Sequence, residues 1–520
     1  MEGAEEGGVL AFRGIPFAES TAGQARFRAP RPVRPWPGTA DARVFGKAAP
    51  QPGKRSRPLT RWSMLPRAGV GEDCLNLNLW TPAADSRRRP VLVWVHGGGF
   101  SRGSGSFHLY AGNRMARRGD VVVVTFNYRL GVLGGLDLRE FGGAESTDTN
   151  LALRDQIAAL EWVQSNIEAF GGDPHNVTVF GQSAGAMSAG TLMASPRGVG
   201  LFQRGILQSG ASNNVLSADQ TRRLAEIFLR KLGLDADRSD VVTALRRLNF
   251  ATLLRAQWEM RLEHDLPLGM LPWQPVIDGD LVPRLPKTRF EEGEGINLPL
   301  LIGTNRDEWK MFTAFDKKRR TLDEPTLREY LTRSFMRFQG NDSSGSGVGV
   351  AEARVEEALC LYGFGPDGSE CRASEIWNRI QTDRVFHYPA VKLADDHASR
   401  GAPTWFYRFD WKPPLAPSRV GACHALEIAF VFGTLKTPWL RPLFGLSSES
   451  VLLSDQMQEA WLSFARTGDP SAEGRFSWPT YESGQGRTRV FGGHDSIDQA
   501  IDPAIKSFWT EPPETDATRF

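Results

Sequence analysis

Val177-Thr178-Val179-Phe180-Gly181-Gln182-Ser183-Ala184-Gly185-Ala186-Met187 is the stretch that decides the fold. Its first residues form a largely apolar, β-branched run that reads as a buried strand, and its last residues open an Ala/Met run suited to a helix. Between them a serine stands in the pattern Gly-x-Ser-x-Gly. The small flanking residues let the chain turn sharply from strand into helix, which lifts the hydroxyl above the sheet and near the positive end of a helix dipole. Ser183 is the candidate nucleophile. The same pattern recurs at Gly99-Phe100-Ser101-Arg102-Gly103, but no strand runs directly into it and no helix leaves it, so Ser101 reads as an extended-loop residue.

Working outward, Val91 to Val95 and Val121 to Phe126 are further buried-strand runs, and later strands are expected at Leu298 to Gly303 and Thr404 to Phe409. Between the second and third early strands, Leu151, Leu153, Ile157, Leu160 and Val163 recur at helical spacing, ending at Gly171-Gly172 and Pro174. Alternation of strand, helix and strand implies an α/β protein with a mostly parallel sheet flanked by helices, where active sites sit beyond the carboxyl ends of strands. Residues 211–297 and 310–402 read as largely helical excursions that roof the sheet. Ser217 with Gln220 resembles a capping box ahead of Leu224, Ile227, Phe228 and Leu232. Gly340 to Gly347 is too polar and Gly-rich to pack and reads as a surface loop. With no internal repeat, residues 1–520 are taken as one domain.

The loops after these strands carry the chemistry. His96-Gly97-Gly98-Gly99-Phe100 follows the run Val91 to Val95, and its glycines allow backbone N–H groups to approach a reacting oxygen. Gly98 and Gly99, with Ala184 after the nucleophile, are the candidate oxyanion-hole donors. A serine also needs a base and an acid that orients it. Of eight histidines, His424 follows the late strand Thr404 to Phe409 by a loop, in the order serine, acid, histidine. Asp307 and Glu308 both lie just past the strand Leu298 to Gly303, and the chemistry of two adjacent carboxylates does not separate them.

Composition bounds the partners. The chain has 520 residues, 41% hydrophobic and 23% charged, with a formal net charge of +2 and no long block of one sign, which leaves no electrostatic footprint for nucleic acid. Cys74, Cys360, Cys371 and Cys423 are too sparsely spaced for a zinc site or a secreted disulfide framework, and no metal or cofactor is implied. The acidic start Met1-Glu2-Gly3-Ala4-Glu5-Glu6 and the lack of a long apolar run are unlike a signal peptide or a membrane span. A cytoplasmic protein without a membrane partner is expected.

Together these residues resemble the type B carboxylesterase family of the α/β-hydrolase superfamily, which includes bacterial carboxylesterases, nitrobenzyl esterases and cholinesterases. The likeness runs through Phe12 to Ala18, Glu72 to Asn78, the glycine loop and Phe170 to Pro174. It continues through the Ser183 elbow, Gln208-Ser209-Gly210, Gly303 to Glu308, His424 with Glu427, Phe432-Gly433 and Thr467 to Pro470. It implies an α/β-hydrolase fold, a Ser183–Glu308–His424 triad acting through an acyl-enzyme, and a small-molecule ester substrate. The acid of the family is the glutamate matching Glu308. Relative to the family, the chain begins inside the first strands, Ala49 stands where some members pair a cysteine with Cys74, and Trp309 replaces a usual glycine.

Cholinesterases carry an acidic residue before the nucleophile, where this chain has Gln182. The matching loop, Pro50 to Asp73, holds Lys54, Arg55, Arg57, Arg61 and Arg67 around a lone Trp62; such a rim would repel a choline cation, against which Trp62 offers a cation–π face, and the alternative reading of the basic loop is a solvated surface. Short to medium acyl esters of aryl or alkyl alcohols are the expected substrates. Carbamates or aryl amides are the alternative on the same triad. A non-catalytic member of the fold is disfavoured by the intact Ser183, Glu308 and His424, and an interfacial lipase by the lack of a long apolar lid.

Overall fold

The computed structural model describes residues 1–52, 67–142, 147–237, 239–260, 271–338, 348–363, 372–414, 417–437, 441–472, 476–493 and 496–510. The expected loop at 340–347, most of the basic loop at 50–73, and Cys371, His264 and His494 lie outside them.

Eleven strands form one sheet: β1 (Ala4–Glu5), β2 (Leu10–Pro16), β3 (Asn76–Thr81), β4 (Arg89–Val95), β5 (Val122–Phe126), β6 (Gly172–Gln182), β7 (Arg204–Gln208), β8 (Leu300–Asn305), β9 (Thr404–Phe409), β10 (Arg487–Phe491) and β11 (Ser496–Gln499). Their order is β1-β2-β3-β5-β4-β6-β7-β8-β9-β10-β11. From β5 through β10 every pair is parallel, whereas β1, β2 and β3 at one end and β11 at the other pair antiparallel. The five strands expected from the sequence are all present in this parallel core. β6 reaches back to Gly172, five residues before the apolar run, where it pairs with Arg89 across a register shift. β1, β2, β3, β7, β10 and β11 were not among the expected strands.

Alternation along the central strands divides the core. Val91, Val93, Val122, Val124, Val177 and Val179 face one side, while Leu92, Trp94, Val123, Phe180, Ile206 and Leu301 face the other. Both sides are covered, which is why these strands read as continuous apolar runs rather than as alternating ones. Helix α1 (Asn113–Gly119) and helix α4 (Ser448–Thr467) close the second face through Met115, Met457, Trp461 and Phe464. Helix α2 (Leu151–Asn166) and helix α3 (Ala184–Met193) close the first through Leu153, Leu160, Val163, Ala189 and Leu192. A third cluster joins the helices after β7 and β8 to Phe100, Ala184 and Met187 at the carboxyl ends of the strands.

Residues 211–297 are helical at Ala218–Lys231, Val241–Arg247, Phe250–Met260 and Pro286–Glu291, with the Ser217 and Gln220 capping box formed at the first of these. Residues 271–285 take no helix; Pro272, Pro275, Gly279 and Pro283 break it there. Residues 310–399 are helical in most of the described positions and include a single π-helical turn, Asp383–His387. Cys74 is buried and unpaired beside buried Ala49, and its thiol pKa is pushed up by burial. Among the described residues no helix is long and apolar enough to cross a membrane.

One buried ion pair ties α2 to the chain leaving β5. Asp155 accepts from Arg129 Nη2 at 2.6 Å, from Nε at 2.8 Å and from the Arg129 backbone N–H at 2.9 Å, and neither side chain is more than 3% exposed. Removing one member strands the other charge without water. Asp155→Ala is expected to cost about 3–5 kcal/mol of stability, read as a large fall in the thermal midpoint; a fall no larger than that of a surface substitution would contradict the assignment.

Candidate active site

Strand β6 ends at Gln182 and helix α3 begins at Ala184, so Ser183 is the single residue of the turn, with φ 56° and ψ −127°. A non-glycine residue there is strained and persists only where its surroundings fix it. They do so by close backbone approach. A Cβ on Gly185 would lie 2.0 Å from the Val95 carbonyl oxygen, and one on Gly181 would lie 2.6 Å from the Gly185 carbonyl carbon. Only glycine lets the elbow seat against the end of β4. The Ser183 N–H donates to the Gln208 carbonyl at 2.9 Å, and its carbonyl accepts from Met187 N at 2.8 Å. Its side chain is half-buried, and Oγ makes no hydrogen bond among the described residues.

The glycine loop leaves β4 beside this turn. A Cβ on Gly97 would lie 3.1 Å from Ser183 Cβ, and Gly98 and Gly99 take φ of 122° and 60°. His96 stacks on Tyr128 at 4.3 Å between ring centroids, and the Tyr128 hydroxyl donates to the His96 carbonyl at 2.6 Å. Burial holds the His96 pKa down to about 4, so the ring is neutral. Ser101 lies in a turn closed by its N–H on the Gly98 carbonyl, not at a helix start, and its buried Oγ has no partner among the described residues.

Beyond β8 the two adjacent carboxylates part. Glu308, fully buried, approaches His424 Nδ1 with Oε2 at 2.6 Å and accepts the Asn305 N–H on Oε1 at 2.7 Å. Asp307 turns away, accepting from the Ala422 N–H at 2.9 Å and pairing with Lys310 at 3.2 Å. Burial raises the Asp307 pKa, but Lys310, the Ala422 N–H and Arg306 together bring it below its ordinary value. With Nδ1–H committed to Glu308, His424 carries its lone pair on Nε2, which lies 3.1 Å from the Gln182 amide nitrogen.

Behind the histidine is a second buried carboxyl. Glu427 accepts from Asn305 Nδ2 at 2.7 Å and from Gln208 Nε2 at 3.0 Å, while Trp461 Nε1 donates to Gln208 Oε1 at 3.0 Å and fixes that amide. Burial first, then repulsion from Glu308, raises the Glu427 pKa from 4.5 to about 7 against its hydrogen bonds and His424. In front, Phe386 and Phe312 pack on the imidazole with centroids at 4.6 and 5.5 Å. Trp309 is buried against both phenyl rings, at 4.9 Å from Phe312 and 6.4 Å from Phe386.

The sequence marked Glu427 and Gln208 only as parts of motifs, with no role read for them; Glu427 lies three residues after His424, in the turn that leads into the helix starting at Ile428. Phe386 carries no signal at all, because its place depends on the π-helical turn. The other described histidines are elsewhere: His108 accepts from Arg67 Nε at 3.1 Å, His387 bonds Thr304 and the Ala500 carbonyl, His397 bonds the Leu298 carbonyl, and His175 is exposed on β6. Among the described residues no group of three or more His, Cys, Asp or Glu side chains gathers as a metal site.

A parallel-cored sheet whose central strand turns through a strained serine into a helix, with a paired histidine and buried carboxylate in the segments after later strands, defines an α/β-hydrolase of the serine carboxylesterase class. Residues 1–507 match the carboxylesterase family, and the chain belongs to it. It is 38% identical over 501 residues to the para-nitrobenzyl esterase of Bacillus subtilis strain 168, covering 96% of this chain and 94% of that protein. It is 35% identical over 505 residues to the phenmedipham hydrolase of Pseudarthrobacter oxydans, covering 95% and 93%. The solved structure of a PNB esterase superposes with a TM-score of 0.81 at 37% identity over 97% of each chain.

Glu427 gives the fold a pH dependence of known sign. A carboxyl whose folded pKa is about 7 against 4.5 unprotected loses its proton in the unfolded chain first, so its burial costs stability increasingly from about pH 4.5 to pH 7 and evenly above that. Glu427→Gln carries no charge and removes that dependence. From pH 5 to pH 8 wild type should lose stability relative to Glu427→Gln by on the order of 3 kcal/mol, measured as the pH dependence of the difference in urea midpoints. A difference that stays flat with pH would show that Glu427 titrates normally.

Proposed function

We propose that this enzyme hydrolyses carboxylic esters through Ser183 as nucleophile, His424 as general base and acid, and Glu308 as the carboxylate that orients His424. The observation that carries the reading is the 2.6 Å contact of Glu308 with His424 Nδ1 beside a serine held at φ 56° on a strand-to-helix turn. Ser183 Oγ adds to the ester carbonyl carbon while His424 Nε2 takes its proton, and Glu308 stabilises the imidazolium that forms. The resulting oxyanion lies with the N–H groups of Gly98, Gly99 and Ala184, at the positive end of α3. Collapse breaks the ester C–O bond, and His424 returns the proton to the departing alcohol. Water, deprotonated by His424, then attacks the acyl-enzyme and releases the acid, with the proton ending on Ser183.

Residues 1–520 are one α/β-hydrolase domain in this reading, and the excursions at 211–297 and 310–402 roof the site. Leu271 supports this, since its Cδ2 would meet a Cβ on Gly99 at 3.1 Å, as do Phe312 and Phe386 against His424. The substrate-side walls they make are apolar and aromatic, which suits short to medium acyl esters of aryl or alkyl alcohols. Carbamates are the second reading, favoured by the similarity to phenmedipham hydrolase, whose substrate is a carbamate. The same addition and collapse serve a carbamate, with a slower carbamoyl-enzyme to discharge. Rates on p-nitrophenyl acetate and on a matched aryl N-phenylcarbamate rank the two.

Ser183→Ala is expected to lower kcat on p-nitrophenyl esters by roughly a thousandfold or more with an unchanged circular dichroism spectrum, whereas Ser101→Ala keeps activity. An active Ser183→Ala beside an inactive Ser101→Ala would reverse the assignment. Glu308→Gln should lower kcat steeply, because an amide neither fixes the tautomer nor stabilises the imidazolium. Asp307→Asn, which faces Lys310, should lose far less. The opposite ranking of these two variants would make Asp307 the acid.

A further inference from the structure

We infer that Gln51 is a positioning residue for the oxyanion hole: its side-chain amide clips both backbone polar groups of Gly103, and Gly103 steadies the peptide units that aim the Gly98 and Gly99 N–H groups. The inference rests on the reading of Gly98, Gly99 and Ala184 as the oxyanion donors. Gln51 lies between β2 and β3, 52 residues before the glycine it grips. Its Nε2 donates to the Gly103 carbonyl at 2.9 Å and to the Ala49 carbonyl at 3.1 Å, while its Oε1 accepts the Gly103 N–H at 3.0 Å. Two carbonyls face the nitrogen and one N–H faces the oxygen, so only this orientation of the amide satisfies all three. Gly103 is buried, and neither its N–H nor its carbonyl has another partner among the described residues.

Gly103 packs on the root of the glycine loop. A Cβ there would lie 2.1 Å from His96 Nδ1 and 2.5 Å from the Gly97 carbonyl oxygen, and its φ of 128° suits only glycine. His96 Nδ1 donates to that same carbonyl at 2.9 Å. Because a peptide unit is planar and trans, a Gly97 carbonyl held on one side aims the Gly98 N–H to the other. The next unit is held likewise. The Gly98 carbonyl accepts from the Ser101 and Arg102 N–H groups at 3.2 and 3.1 Å, which directs the Gly99 N–H away from them. A Cβ on Gly98 would lie 2.1 Å from the Arg102 carbonyl oxygen, so residues 97–98 and 102–103 press together backbone to backbone. A shift at Gly103 is therefore passed to both donors. Asn127 ties the same two segments, donating to the Lys47 carbonyl at 3.1 Å and accepting the Gly105 N–H at 2.9 Å, but Gln51 grips the chain closer to the glycines.

The test replaces the amide with a thioether of similar length, Gln51→Met, and with a carboxylate, Gln51→Glu, which keeps an acceptor for the Gly103 N–H but sets negative charge against two carbonyls. Turnover of p-nitrophenyl acetate is measured per titrated active site, so that a smaller folded fraction does not register as slower chemistry. The second readout is inhibition by an alkyl trifluoromethyl ketone, whose adduct with a serine hydroxyl carries the oxyanion that the hole holds and whose affinity follows transition-state binding. In Gln51→Met, kcat should fall about tenfold or more with KM little changed, and the inhibition constant should rise by the same factor; Gln51→Glu should move both in the same direction. A kcat per site and an inhibitor affinity that match wild type would overturn the inference, as would a raised KM at unchanged kcat, which marks a pocket wall. Should Gln51→Met not fold, Gln51→Glu is read by the same criteria. A ketone that leaves the wild type uninhibited would sink the oxyanion reading itself, while an inhibited wild type with unmoved variants would sink the role of Gln51 alone.

Discussion

The backbone at Ser183 is the constraint on which the site depends, because a serine at φ 56° and ψ −127° stays there only while its neighbours leave it no cheaper conformation. Those neighbours are backbone rather than side chain. Gly185 sits on the Val95 carbonyl, Gly181 on Gly185, and Gly210 so close that a Cβ would come 2.7 Å from the Ser183 carbonyl oxygen. Packing of this kind has no soft member to yield, so the hydroxyl is presented by three strand ends at once. The glycine loop inherits its position from the same contacts, since Val95 and His96 are both its root and the floor on which Gly185 rests.

Beneath the imidazole, charge is arranged in two layers of unequal cost. Glu308 is buried, yet it meets His424 and a backbone N–H, so its ionised form is matched by donors. Glu427 also meets two donors, but it lies behind Glu308 and bears both burial and repulsion from the first carboxylate. Asn305 joins the layers: its backbone serves Glu308 and its side chain serves Glu427. A single residue at the end of β8 thereby sets the spacing of two acids that would otherwise drive each other apart.

Much of this was legible in the sequence for a physical reason. Strands buried on both faces are long, apolar and β-branched, so β4, β5 and β6 stood out and the elbow after β6 followed from its small residues. The antiparallel margins were less visible because β1 and β11 are short and mostly polar: β11 is exposed throughout. Asp307 and Glu308 could not be told apart by chemistry alone. Which of two successive side chains points inward depends on the Lys310 and Ala422 partners of Asp307, and Ala422 lies 115 residues further along the chain. Trp309 looked like an intrusion where a glycine is usual; it packs against Phe312 and Phe386, and its backbone N–H donates to Thr382 Oγ1 at 3.1 Å. Phe386 was out of reach because a π-helical turn has no compositional mark.

The parallel order of the core also bears on how the chain reaches its working state. His424 meets Glu308 across 116 residues and Gln182 across 242, with a helical excursion to be threaded between each neighbouring pair of strands. Contacts of such separation close late, since the entropy of long loops is lost before their packing rewards it. During synthesis, β6 and its elbow emerge well before the strand that precedes the histidine. A nascent chain therefore carries Ser183 long before it carries His424, and the two share one site only when β8 and β9 have docked beside β7.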